Sequence, residues 1–211
     1  EVVFKRPSTP ADPGEAILSG LAEMAEAHDV PLAEAARIAH GTTVATNALI
    51  QRKGASIAAV ATKGFRDLLE IGRQVRPHMY DLNLDKPEPL AGEAMRFEVA
   101  ERLDWRGEAV LPLTDAEAAR AAREIVDSGA DAVAVCFLFA YRDPAHEQQL
   151  ANAIKAIAPN LRVSLSSDVQ PEFREYERFQ TTAINAYLQP LMAGYVERLA
   201  AGLDDAVKGA A

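Results

Sequence analysis

Apolar and polar positions follow two different periods along this chain, and the switches between them mark its elements. Ile17, Leu18, Leu21, Met24 and Ala25 recur three and four residues apart. That spacing predicts an amphipathic helix ending near His28. Asp12 stands at the N-cap and Pro13 in the first turn, where a missing N–H is no loss. Val44 to Arg52 predicts a second helix, with Gly54 as its stop. Ser56 to Thr62 reads as a buried strand, and Lys63-Gly64 turns it into a short helix over Phe65 to Ile71. Thr114, with Glu117 three residues on, is a capping-box start. Its helix carries Ala118, Ala121, Ala122 and Ile125 on one face and ends at Gly129. Asp131 to Phe139 is nearly all apolar, as expected of a strand buried on both faces. A helix over Pro144 to Ile157 follows, then a strand over Leu161 to Leu165. A long helix runs from Tyr176 to about Ala206, with Pro190 expected to kink or interrupt it.

The remaining stretches are weaker. Glu1 to Lys5 reads as the end of a strand, followed by a Pro-rich connection to Pro13. Pro31 to Ala36 is a short helical piece, and Arg37 to His40 a brief strand leading into a turn at Gly41 to Thr43. Gly72 to Gly92 is irregular, with Pro77, Pro87 and Pro89; a loop this long in a compact domain is more often functional than idle. Arg96 to Trp105 reads as a strand with one wet face, joined to a second short strand as a hairpin. From residue 114 the order is helix, strand, helix, strand, helix, which predicts parallel βαβ units with helices over the sheet.

Composition narrows this picture. The chain has 211 residues, 49% of them hydrophobic, enough for one good core or at most two small domains. A net charge of -9 disfavours nucleic-acid binding. Cys136 is the single cysteine, so no intrachain disulfide forms; it reads as a small core hydrophobe in a reducing compartment. No run nears the ~20 apolar residues that span a bilayer, and no signal-peptide pattern opens the chain. The expectation is a soluble cytoplasmic protein. Because the sequence starts at Glu1 in a strand-like run, it is expected to be a piece of something longer.

Three segments carry candidate chemistry. In the first, His40-Gly41-Thr42-Thr43-Val44-Ala45-Thr46-Asn47, a turn delivers the chain into a helix beside three threonines. A helix start offers free N–H groups for an anion, the hydroxyls and Asn47 add donors, and His40 titrates near neutrality. The alternative is an ordinary junction with Thr42 or Thr43 as N-cap. The GxxxxGK[ST] spacing of a Walker loop is absent. The second segment, Arg73 to Asp81, sets Arg73 and Arg76, a histidine and a tyrosine in the irregular loop. Arginine forks suit carboxylates and phosphates; the alternative is a solvated loop. The third, Pro171 to Arg178, clusters Glu172, Glu175 and Glu177 before the long helix. Carboxylates there suit a cation or a general base, or simply the helix dipole. His28 and His146 read as helix-surface residues, Trp105 as a hairpin packing residue, and no spacing matches a zinc site.

Ile38 to Gly54 resembles the hallmark of the N-terminal domain of the hydantoinase A/5-oxoprolinase family. The similarity continues through Thr62 to Gln74, Arg76-Pro77 and Tyr80 to Leu82. It resumes at Glu101-Arg102, Phe137 to Phe139, Pro144, His146-Glu147, Pro171-Glu172, Glu175 to Arg178, Thr181-Thr182 and Asn185 to Tyr187. The resemblance implies an α/β fold with an RNase H-like mixed sheet flanked by helices, of the actin-like ATPase superfamily. It implies one incomplete lobe over residues 1–211, lacking the first phosphate-loop hairpin. The implied activity is ATP-dependent hydrolysis of a cyclic amide such as a hydantoin or 5-oxoproline, through phosphorylation of the ring amide oxygen and attack by water. An acetone or acetophenone carboxylase-type subunit, or a non-catalytic assembly module, is the alternative.

ATP and Mg²⁺ are the implied cofactors. A C-terminal lobe and a B-type hydantoinase subunit, or a homo-oligomer, are the implied partners. His40, Thr43 and Glu175 would be catalytic. Gly41, Thr42, Thr46, Asn47, Arg73 and Arg76 would bind substrate or phosphate, and Glu172 and Glu177 are metal candidates. Gln180 and Ala140 stand where the family leads us to expect serines. Without the phosphate loop, the isolated chain is expected to turn over no ATP.

Overall fold

The structure is a computed structural model that describes residues 3–9, 12–29, 32–75, 78–81 and 83–208. In chain order its elements are α1 (Pro13–His28), α2 (Val44–Ile50), β1 (Ile57–Thr62), α3 (Leu68–Ile71), β2 (Arg96–Val99), β3 (Arg102–Leu103), β4 (Ala109–Leu111), α4 (Asp115–Asp127), β5 (Ala132–Cys136), α5 (Ala145–Ile157), β6 (Arg162–Leu165), α6 (Ser166–Val169) and α7 (Glu175–Lys208). Short 3₁₀ turns stand at Leu32–Glu34 and Glu93–Met95. The chain divides into two compact units, Ala48–Pro190 and the combination of Glu1–Asn47 with Leu191–Ala211. Among the described residues no helix is long and apolar enough to cross a membrane.

The larger unit is built on a sheet ordered β2-β1-β5-β6 with every pairing parallel. The expected mixed sheet is thus corrected. The antiparallel pair β3-β4 forms a separate ribbon, because the segment read as one strand over 96–105 breaks after Val99. Its first half joins the sheet edge and its second half joins the hairpin. The two mostly apolar runs, β1 and β5, are the interior strands and are buried throughout. Alternate residues of each strand point to opposite faces. Ala58, Val60, Val133 and Val135 meet Ala118, Ala122 and Ile125 of α4 and Leu150 and Ile154 of α5. Ile57, Ala59, Ala132 and Ala134 meet Phe179, Ala183, Ala186 and Tyr187 of α7. The result is a parallel sheet with helices on both faces, as the βαβ alternation predicts.

Local rules account for the element ends. Thr114 accepts the Glu117 N–H at 3.2 Å and caps α4. The reciprocal half of the capping box is absent, because the Glu117 carboxylate turns to the Ala100 N–H and to Arg120. α2 stops earlier than predicted. Arg52 adopts φ 55°, its N–H meets the Leu49 carbonyl, and the Lys53 N–H meets the Ala48 carbonyl. That pair of bonds is a Schellman stop with arginine where glycine is usual. Gly54 has a different role: a Cβ there would lie 2.2 Å from the Tyr187 ring.

In the smaller unit, Asp12 caps α1 as predicted, its carboxylate accepting the Gly14 N–H at 3.0 Å. α1 packs against the last part of α7 so closely that a Cβ on Gly202 would lie 2.3 Å from Leu18. Arg198 of α7 pairs with Asp12 at 3.4 Å. Neither Val3 to Lys5 nor Arg37 to His40 forms a strand. A strand needs a ladder partner, and none of the described strands pairs with either segment. α7 is not interrupted at Pro190, though that residue closes the larger unit.

Candidate functional site

In the smaller unit, His40 to Asn47 passes from irregular backbone into the first turn of α2. Thr42 and Thr43 stand at the helix start, but neither hydroxyl reaches the N–H groups of Ala45 or Thr46. The Thr42 hydroxyl accepts the Val44 N–H at 3.2 Å. The Thr43 carbonyl accepts the Asn47 N–H at 2.9 Å, and the Thr43 hydroxyl accepts the Asn47 amide at 3.3 Å. This surface is open: Gly41, Thr42, Thr43, Thr46 and Asn47 are all exposed, and a Cβ on Gly41 would touch nothing. Among the described residues the N–H groups of Ala45 and Thr46 meet no acceptor. His40 Nε2 lies 2.6 Å from the hydroxyl of Tyr195, a residue of α7 that sequence reading had not marked.

In the larger unit, a cleft of about 710 Å³ opens between residues 72–75, residues 86–90, α3 and the start of α7. Arg52, Arg73, Lys86, Leu69, Tyr176 and Ile184 are among its lining residues. Arg73, from the second candidate segment, meets Glu177, from the third, with Nε to Oε1 at 2.6 Å. The Glu177 backbone N–H, and then the Arg73 guanidinium, hold that carboxyl below its usual range. The Arg52 guanidinium and Lys86 ammonium donate to neutral carbonyls, those of Glu88 and Ile71. Glu175 is exposed at the start of α7, and the Glu172 carboxylate accepts from the Gln170 amide at 3.3 Å. Arg76 lies outside the described residues.

The same unit holds two buried polar networks at the carboxyl ends of its strands, where open parallel sheets place their ligand crevices. In the first, the Leu138 N–H donates to the Thr62 hydroxyl at 3.0 Å, and that hydroxyl donates to Glu101. His146 Nε2 accepts the Leu113 N–H at 3.3 Å, so its proton sits on Nδ1 and faces Glu101 Oε2 at 2.7 Å. In the second, Glu147 is fully buried and accepts from the Phe137 N–H, the Ser166 hydroxyl, the Ser167 N–H and the Ser167 hydroxyl, all within 2.9 Å. Arg178, 1% exposed, donates to Ser166 Oγ and to the carbonyls of Glu172 and Phe137. Burial pushes the Glu147 carboxyl up and the Arg178 guanidinium down, each against the pull of its partners. Burial likewise pushes the Cys136 thiol well up, leaving it an inert core residue.

These networks correct two expectations. His146 is buried rather than on a helix surface. The signal was present: positions 146, 150 and 154 share a helix face, and Leu150 and Ile154 are core residues. Trp105 is 62% exposed and carries Arg106 over its ring, rather than packing the hairpin.

Comparison with known proteins fits this architecture. The chain is 36% identical over 203 residues to caprolactamase subunit alpha of Pseudomonas jessenii, covering 93% of this chain and 29% of that one. It is 34% identical over 193 residues to 5-oxoprolinase 1 of Arabidopsis thaliana, covering 78% of this chain and 14% of that one. The chain thus spans under a third of the length of these relatives. The crystal structure of the ATP-dependent caprolactamase from Pseudomonas jessenii superposes with a TM-score of 0.86 over 97% of this chain, 30% of its own, at 34% identity. A family model matches residues 1–158, and the chain belongs to the hydantoinase/oxoprolinase N-terminal region family.

Proposed function

We propose that this chain is the N-terminal part of an ATP-dependent hydrolase that opens a cyclic amide. The observation that carries the reading is the similarity to an ATP-dependent caprolactamase along nearly the whole chain. The parallel sheet with helices on both faces supports the α/β class, and membership of the actin-like ATPase superfamily, with its RNase H-like lobe, is part of the proposal. A cytoplasmic location, a C-terminal lobe and a B-type partner subunit belong to the same proposal.

His40 to Asn47 supplies one wall of the site. The hydroxyls of Thr42, Thr43 and Thr46 and the open N–H groups of Ala45 and Thr46 suit phosphate oxygens. ATP, when bound, supplies the phosphoryl group that activates the ring amide oxygen. His40 and Thr43 contact the reacting amide or phosphate, with Gly41 and Asn47 shaping the approach. In the larger unit, taken by itself, Arg73 and Arg76 suit substrate or phosphate charge, and exposed Glu175 suits a proton-accepting role. Mg²⁺ fits less well. No three His, Cys, Asp or Glu residues cluster among the described residues, and Glu177 is engaged by Arg73. Glu172 and Glu177 therefore make no metal site as they stand.

The test is an ATPase and ring-opening assay of the full-length protein with its partner subunit against lactams, hydantoins and 5-oxoproline. ATP turnover coupled to a ring-opened acid supports the proposal. Turnover that requires a ketone and bicarbonate assigns it to the carboxylase type instead. Dependence on neither class refutes it.

A further inference from the structure

We propose that Tyr195 is a positioning residue that fixes which nitrogen of His40 does chemistry, so that Nδ1–H, not Nε2, faces the ligand. The inference rests on the reading that His40 belongs to the active-site wall. Tyr195 sits on α7, far away in sequence, and its side chain is buried at 3% exposure. Its hydroxyl lies 2.6 Å from His40 Nε2, with the ring centroids 6.0 Å apart and the planes tilted by 52°. A buried phenol needs a hydrogen-bond partner. Among the described residues, the Tyr195 hydroxyl has only this one, and His40 Nδ1 has none.

Two protonation patterns satisfy the 2.6 Å contact, and chemistry chooses between them. A phenol O–H is a stronger acid than a neutral imidazole N–H, and an sp² imidazole nitrogen is a better acceptor than a phenol oxygen. Tyr195 therefore donates and Nε2 accepts. The neutral ring has one proton, which must then sit on Nδ1. The consequence for function is specific. His40 presents a donor to its ligand, suited to an amide carbonyl or phosphate oxygen that gains negative charge during reaction. It does not present a free lone pair, so it is not the base that activates water. The buried end of the pair belongs to a packed helix, so the imidazole is held while its free edge stays open.

The experiment uses the full-length protein and its partner subunit in the ring-opening assay. Tyr195→Phe removes the hydroxyl and keeps the ring. It is expected to lower kcat about five- to tenfold, the worth of one oriented hydrogen bond, with KM nearly unchanged. In a His40→Ala background the same substitution should have no further effect, because Tyr195 acts only through His40. His40→Asn places its amide where Nδ1 was and should keep more activity than His40→Gln, which mimics Nε2. Independently of activity, ¹⁵N NMR of histidine-labelled protein should show His40, identified by its loss in His40→Asn, protonated at Nδ1, and that signal should move in Tyr195→Phe. A wild-type rate in His40→Ala refutes the active-site reading of His40. A full additive loss from Tyr195→Phe in that background, Gln outperforming Asn, or an Nε2-protonated ring refutes the role of Tyr195.

Discussion

Replacing Glu147 by glutamine tests whether the buried network at the carboxyl end of β5 holds the larger unit together. The substitution keeps the shape of the side chain and exchanges one carboxylate oxygen for an NH₂ group. Oε1 serves the Phe137 N–H and the Ser166 hydroxyl, while Oε2 serves the Ser167 N–H and hydroxyl. Whichever way the new amide faces, one backbone N–H meets another donor. An orphaned buried N–H costs about 1–3 kcal/mol, and the bonds that survive lose their charge assistance. Removal of the negative charge that Arg178 meets through the Ser166 hydroxyl adds a smaller loss. Burial already opposes the ionised carboxyl, so the neutral amide recovers part of this. The net expectation is a loss of about 2–3 kcal/mol, which at a urea slope of about 1–3 kcal/mol per molar moves the midpoint by about 1 M or more. Urea unfolding followed by far-ultraviolet circular dichroism gives the shift, and hydrogen exchange at the Phe137 and Ser167 amides locates it. A midpoint within error of the parent, or unchanged protection at both amides, would show that the four bonds do not carry the stability assigned to them.

Three further outcomes are expected. The hydrogen bond from Arg120, above all, holds the Glu117 carboxyl at about 2 against an ordinary 4.5. A lowered carboxyl pKa stabilises the fold above its unfolded value and loses that effect as pH falls through the folded one. Glu117→Gln should therefore flatten the fall in urea midpoint between about pH 4.5 and 2; an unchanged acid limb would contradict the pairing. Gly54→Ala drives a methyl into the Tyr187 ring and should cost about 1–3 kcal/mol. Trimming Tyr187 to leucine in the same chain should recover part of that cost, and purely additive losses would rule out the clash. In the full-length protein, His40→Ala should lower ATP-coupled ring opening at least about tenfold while the protein stays folded, the unpartnered Tyr195 hydroxyl costing only a modest drop in melting temperature. A parent-like rate would return His40 to Asn47 to the role of a plain junction.

The readings that held are those in which a local rule and the core agree. Asp12-Pro13 starts α1 because the cap chemistry is written in adjacent residues. β1 and β5 are central because only strands covered on both faces can be apolar on both faces, Thr62 at the end of β1 being the one polar residue of the two. The α4 face of Ala118, Ala121, Ala122 and Ile125 follows from helical spacing alone. The readings that failed needed a partner the sequence does not display. Among the described residues Arg37 to His40 has no ladder to join, and the run over 96–105 divides between two sheets. Arg52 stops α2 where glycine was expected, and Gly54 instead makes room for the Tyr187 ring.

The candidate site divides along the same line. By itself the sequence determined the α/β class, the order of the strands along the chain, and the segments that carry polar chemistry, since all of these depend on period, capping and residue type within a few positions. Only the tertiary structure decided that His146 and Glu147 are buried links between strand ends, that Arg73 meets Glu177, and that His40 is held by Tyr195. Each of these pairs joins residues far apart in the chain. Hydrogen bonds that close the ends of parallel strands are set by which strands lie side by side, and that adjacency is fixed by burial of the whole core rather than by any short stretch of residues.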